Sequence, residues 1–149
     1  MRVEKIRAVF FDMGNTLGLR VEDASLRRES LTQLVALLGT AESPESLCQR
    51  LSERQQAYRE WARRTQIELG ERELWTRWML PDYPAERIAP LAEQLMRLWR
   101  KRLGRHVLRP EARQAVSELS RLGYRLGVIS NTISAHDAPG ILAERGLTN

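Results

Sequence analysis

Two short polar stretches carry residues able to do chemistry together: Asp12-Met13-Gly14-Asn15-Thr16 and Ser130-Asn131. Each follows directly on an apolar run, residues 6–11 in the first case and 124–129 in the second. A carboxylate at the end of a buried strand is held rigidly at the rim of a sheet. It can serve there as a nucleophile, as a metal ligand or as both. Gly14 and Asn15 both tolerate left-handed backbone angles, so the turn can aim successive N–H groups at one point and form an anion nest. Ser130 offers a hydroxyl donor to the same anion. Read singly, Asp12 and Ser130 are as well explained as caps of the turn or helix that follows each strand. Read as a pair, at the ends of two neighbouring strands, they point to a phosphate site.

The elements that must hold this pair follow from periodicity. Residues 6–11 are β-branched and aromatic, as expected of a short buried strand. From about Glu22 to Leu103 the pattern is helical. Leu31, Leu34, Val35 and Leu38 fall on one face, with Gly39 as the stop. Ser43-Pro44 marks a second helix start running to about Gln66. Further helices are expected over 71–79 and 85–103, separated by Pro81 and Pro84. Pro110 then opens a helix with Ala115, Val116, Leu119 and Leu122 along one face, closed by Gly123. A second buried strand covers 124–129, and a last helix covers about 138–145, ending at Gly146. A helix leading into the second strand predicts a crossover to a parallel neighbour. Ligands of open parallel sheets sit at the carboxyl ends of the strands, where Asp12 and Ser130 fall. The expected class is α/β, a Rossmann-like core of parallel strands with an inserted all-helical segment at 18–107. The core is then 1–17 with 108–149.

Composition narrows the function classes. The chain has 149 residues, 42% hydrophobic and 29% charged, with a net charge of +5. That balance excludes a disordered or collagen-like chain. No apolar run approaches the roughly 20 residues of a membrane span, and the start lacks the pattern of a signal peptide. One cysteine, Cys48, excludes an internal disulfide and a cysteine-based zinc cluster. The expected location is the cytoplasm, with no membrane partner. All cations except Lys5 and Lys101 are arginines spread among glutamates. This reads as solvated helix faces rather than a nucleic-acid surface.

The stretch Val9-Phe10-Phe11-Asp12-Met13-Gly14-Asn15-Thr16-Leu17 resembles the first motif of the haloacid dehalogenase (HAD) superfamily, an apolar strand followed by Asp-x-Asp-x-Thr. Leu126-Gly127-Val128-Ile129-Ser130-Asn131 resembles its second motif, and Leu108-Arg109-Pro110-Glu111 to Gly123 resembles the helix before that motif. A helical cap between the two motifs is the arrangement of one cap class of the superfamily. The resemblance implies a Mg²⁺-dependent hydrolase of a small phosphorylated molecule. Asp12 would be the nucleophile, forming an aspartyl-phosphate. Its carboxylate and the Gly14 carbonyl would bind Mg²⁺. Ser130 would hold a phosphate oxygen, with Asn131 and the backbone of Met13 and Gly14 beside it. Asn15 and Thr16 would brace the loop.

Two departures from the family pattern bear on this expectation. The second Asp of the first motif, the general acid for the leaving alcohol in family phosphatases, is Gly14 here. Proton transfer of that kind is typically worth 10²–10⁴-fold. Acyl phosphates, aryl phosphates and C–P substrates depend on it less, and some branches, including phosphonate and haloacid hydrolases, also lack it. The phosphonate branch needs a lysine early in the cap, whereas Lys101, the sole lysine of the insert, comes late. Secondly, the family's third motif (a Lys, occasionally Arg) and its acidic fourth motif are not found after the second strand. Only Asp137, Glu144 and Arg145 follow as charged candidates. The expectation is a truncated chain with an incomplete core, completed by a C-terminal chain or a homo-oligomer.

Two other readings stay open. One is a non-catalytic HAD-like fragment or pseudo-enzyme. The other is an actin-like-fold kinase fragment, whose Asp-x-Gly-x-Thr turn is similar but runs into a hairpin, not a helix. Trp61, Trp75, Trp78 and Trp99 are assigned to bundle core or cap contacts and Cys48 to packing. Arg20, His106 and His136 are read as surface residues.

Overall fold

A computed structural model describes residues 6–131, 137–144 and 146–147. The first five residues, His136 and Arg145 lie outside them. The chain divides into two compact units, Met1–Val21 with His106–Asn149, and Glu22–Arg105.

In the first unit, β1 (Ala8–Asp12) pairs in parallel with β4 (Arg125–Ile129), from Ala8 opposite Arg125 to Asp12 opposite Ile129. Parallel neighbours need a crossover, and α6 (Pro110–Arg121) leads into β4 and packs against it. Its inward stripe is Ala112, buried, with Val116 and Leu119 half-buried. This corrects the face expected from sequence. Ala115 and Leu122 are exposed, because the 112, 116, 119 spacing follows the helical period and leaves those two on its flank. α7 (Asp137–Glu144) closes the unit.

The sequence pattern predicts two strands, whereas four are found among the described residues. β2 (Gly18–Val21) and β3 (Arg105–Leu108) form a separate two-stranded sheet. Each has only four residues, and β2 is exposed at three of them, so neither shows a buried run. Gly18 permits the close approach, since a Cβ there would lie 3.2 Å from the Val107 carbonyl oxygen.

The second unit is all helical. α1 (Ala24–Leu38) starts at Asp23, whose carboxylate accepts the Leu26 N–H at 3.0 Å. It ends at Gly39, which adopts φ 57°. Leu31, Leu34 and Leu38 are buried as expected, and Val35 is half-buried. α2 (Pro44–Thr65) is capped by the Ser43 hydroxyl, which accepts the Ser46 N–H at 3.1 Å. The helix expected over 71–79 changes pitch. α3 (Glu71–Leu74) passes into a π-helical turn at Trp75–Met79. The helix expected over 85–103 is broken into α4 (Ala85–Ile88), a 3₁₀ turn at Ala89–Leu91 and α5 (Ala92–Lys101). Pro90 has no N–H to donate and cannot continue the α-helical ladder. Trp75 and Trp99 are fully buried in this unit. Trp78 is half-buried and packs against Trp61 (ring centroids 5.4 Å apart) and Tyr58 (5.7 Å). Cys48 is buried, and its Sγ accepts from Arg27 Nη2 at 3.4 Å. Among the described residues no helix is long and apolar enough to cross a membrane.

Candidate active site

The first unit positions the two polar stretches through its strand register. Asp12 ends β1 opposite Ile129, the last residue of β4, so Ser130 and Asn131 leave the neighbouring strand beside it. Asp12 and Asn131 are exposed and Ser130 is half-buried, so the carboxylate and hydroxyl are both within reach of a ligand.

The loop after Asp12 is anchored at two points by apolar side chains. Met13 and Leu17 are buried and line a small apolar cavity with Gly18, His106, Val107, Leu108, Ile141, Leu142 and Leu147. The polar residues between them are therefore held outward. The left-handed conformation that the sequence allowed at Gly14 or Asn15 falls on Asn15, with φ 61°. Gly14 is not left-handed, and a Cβ there would meet nothing closer than Asp12 Oδ2 at 4.0 Å. Glycine is thus not sterically required at position 14.

Hydrogen bonds fix the loop further. The Thr16 hydroxyl donates to Asp12 Oδ2 at 3.3 Å, which braces the carboxylate. The Gly18 N–H donates to the Met13 carbonyl at 3.3 Å. Arg109 donates twice, from its backbone N–H to the Leu17 carbonyl and from Nε to the Asn15 carbonyl, both at 3.0 Å. Arg109 was not singled out from the sequence. Its signal was its place immediately before Pro110, since a residue before proline is confined to extended backbone, here φ −61° and ψ 140°.

Arg20 and His106, both read as surface residues, meet across β2 and β3 with Arg20 Nη2 2.7 Å from His106 Nε2. Partial burial lowers the Arg20 pKa from its ordinary value.

Among the described residues no group of three or more His, Cys, Asp or Glu could cage a metal ion. Magnesium asks for less, because it keeps several waters and takes one or two carboxylates together with substrate oxygens. The exposed Asp12 carboxylate suits that demand. So does the Gly14 carbonyl, since the loop's hydrogen bonds use the carbonyls of Met13, Asn15 and Leu17 instead.

The model of the haloacid dehalogenase-like hydrolases matches residues 6–148. The chain belongs to that family of hydrolases. Comparisons with curated proteins and with solved structures returned no match. The α/β class with a parallel sheet agrees with this membership.

Proposed function

We propose that this HAD-like hydrolase cleaves a small phosphorylated molecule through an aspartyl-phosphate on Asp12. The observation that carries the reading is the parallel register that sets Asp12 beside Ser130 at the carboxyl ends of adjacent strands. Oδ2 is held by Thr16, so Oδ1 is the free oxygen for attack on phosphorus. The bond to the leaving oxygen breaks on the opposite side, and water then cleaves the Asp12 acyl phosphate to release inorganic phosphate. Ser130 donates to a phosphate oxygen, with Asn131 and the Met13–Gly14 backbone beside it. Magnesium, held by the Asp12 carboxylate and the Gly14 carbonyl, would offset the repulsion between the anionic nucleophile and the anionic phosphate.

Gly14 decides the substrate class. Glycine cannot protonate a leaving alcohol, so the reading favours leaving groups that depart as stable anions, namely aryl or acyl phosphates. The lone cysteine suits a reducing compartment such as the cytoplasm. Glycine at 14 also favours a second reading, a phosphate-binding chain without turnover.

Hydrolysis of p-nitrophenyl phosphate with Mg²⁺ by wild type and Asp12→Asn separates the two. A catalytic Asp12 predicts a loss of more than about 10³-fold in the variant. Equal rates would sink the nucleophile assignment. Beryllofluoride that stabilises an inactive wild type would support the second reading.

A further inference from the structure

We propose that Arg109 is a positioning residue for the nucleophile loop. The inference rests on the reading of Asp12 as nucleophile. A continuous chain of contacts leads from the start of α6 to the Asp12 carboxylate. Pro110 restricts Arg109 to extended backbone, and the Arg109 N–H donates to the Leu17 carbonyl at 3.0 Å. Nε then takes the Asn15 carbonyl at 3.0 Å. The peptide bond between Asn15 and Thr16 is planar and trans, so fixing its carbonyl also fixes the direction of the Thr16 N–H. Thr16 in turn donates its hydroxyl to Asp12 Oδ2 at 3.3 Å.

Asn15 is the point of need. It is the one described residue of the Asp12–Leu17 loop with positive φ, a conformation that asparagine tolerates but that still costs more than the right-handed one. Asn15 is exposed, so packing does not hold it, whereas Met13 and Leu17 are buried. The Arg109 hydrogen bond therefore replaces packing at the centre of the loop. A cation donating to a carbonyl makes one of the stronger hydrogen bonds. It also draws the Asn15 carbonyl to itself, which keeps one more acceptor oxygen from facing an anionic substrate.

The test compares wild type, Arg109→Ala and Arg125→Ala, the last an exposed arginine at the start of β4. Amide hydrogen exchange and p-nitrophenyl phosphate kinetics with Mg²⁺ are both read. In Arg109→Ala, exchange of the Gly18 N–H, which closes the loop onto the Met13 carbonyl, quickens about tenfold while α6 and β4 keep their protection. The same variant loses about tenfold in kcat with KM nearly unchanged, because substrate still binds but the carboxylate is misaligned. Arg125→Ala changes neither. Unchanged exchange in the loop, or exchange quickened equally through α6 and β4, overturns the proposal. A rise in KM at constant kcat overturns it too, since that would make Arg109 a binding residue. If the wild type shows no hydrolysis, the Asp12 reading fails, and the exchange data still decide whether Arg109 holds the loop.

Discussion

Asp12 and Ser130 stand at the ends of two hydrogen-bonded parallel strands, with Ser130 one residue past the partner of Asp12. Neighbouring strands lie about 4.8 Å apart, so a tetrahedral anion can touch both side chains at once. Ser130→Ala removes one hydroxyl from that anion without changing the strand. A hydrogen bond to a charged group contributes about 1.5–3 kcal/mol. We therefore expect kcat/KM for an aryl phosphate to fall by roughly 10–100-fold. An unchanged kcat/KM would place Ser130 outside the site.

Gly14 leaves room for an acid. A Cβ at this position meets nothing nearer than Asp12 Oδ2 at 4.0 Å, and the backbone is not left-handed. Gly14→Asp is accordingly expected to fold. Its carboxyl group would supply the proton that glycine cannot, and alkyl phosphates should gain most, by up to about 10²-fold. Aryl phosphates should gain little. The ratio of alkyl to aryl rates in the two proteins measures this directly. An unchanged ratio would mean that the new carboxyl group does not reach the leaving oxygen.

The legible parts of this chain are those with long-period signals. α2 begins at Ser43-Pro44 as read, because the serine cap and the proline at the first turn are local chemistry that no tertiary contact opposes. The β1 and β4 runs were legible as strands because Val9, Phe11, Leu126 and Val128 carry an apolar load, but the burial expected of them is not found: no residue of either strand is buried, and Phe10 and Ile129 are exposed. β2 and β3 were not legible, since Gly-Leu-Arg-Val and Arg-His-Val-Leu are short and half polar. The π-helical turn at Trp75–Met79 has no compositional marker at all. In the site, the Asp12 and Ser130 ends could be read from sequence, but the Arg109 hold on Asn15 could not. It joins residues on different elements, and only the assembled loop brings them within 3.0 Å.

Leu34 tests the helical unit on its own. Its side chain is fully buried, on the face of α1 that also carries Leu31 and Leu38. Leu34→Ala keeps a strong helix former, so propensity is not the cause of any loss. The cost is removed contact plus the cavity left behind, about 2–5 kcal/mol. All four tryptophans, Trp61, Trp75, Trp78 and Trp99, lie in residues 22–105. Their fluorescence during urea unfolding therefore reports this unit, and its midpoint should fall with little change in slope. A midpoint within error of wild type would contradict the packing seen at Leu34.

Acid should weaken the same unit through two carboxylates. Arg50 binds Glu42 through both Nε (3.1 Å) and Nη2 (2.6 Å) and, with Arg54, also reaches Asp82. The Arg50 hydrogen bonds are the main reason that the Glu42 pKa is lowered. Asp23 is lowered as well, chiefly by the Ser25 hydroxyl, then by the Leu26 N–H, with Arg105 adding to it. A folded pKa below the unfolded one means that the unfolded chain binds more protons in the acid range, so stability rises with pH there. The contribution is complete above the unfolded values, about 3.9 for Asp and 4.3 for Glu. It is lost as pH falls through the lower folded values. Thermal melts should thus be flat from neutral pH to about pH 5 and decline below about pH 4. Glu42→Gln should melt lower than wild type at neutral pH and decline less in acid, so that the two curves converge. Glu42, Asp82, Arg50 and Arg54 are all partly exposed, so added salt should shrink the neutral-pH difference. Parallel curves at every pH would show that Glu42 is not the linked group.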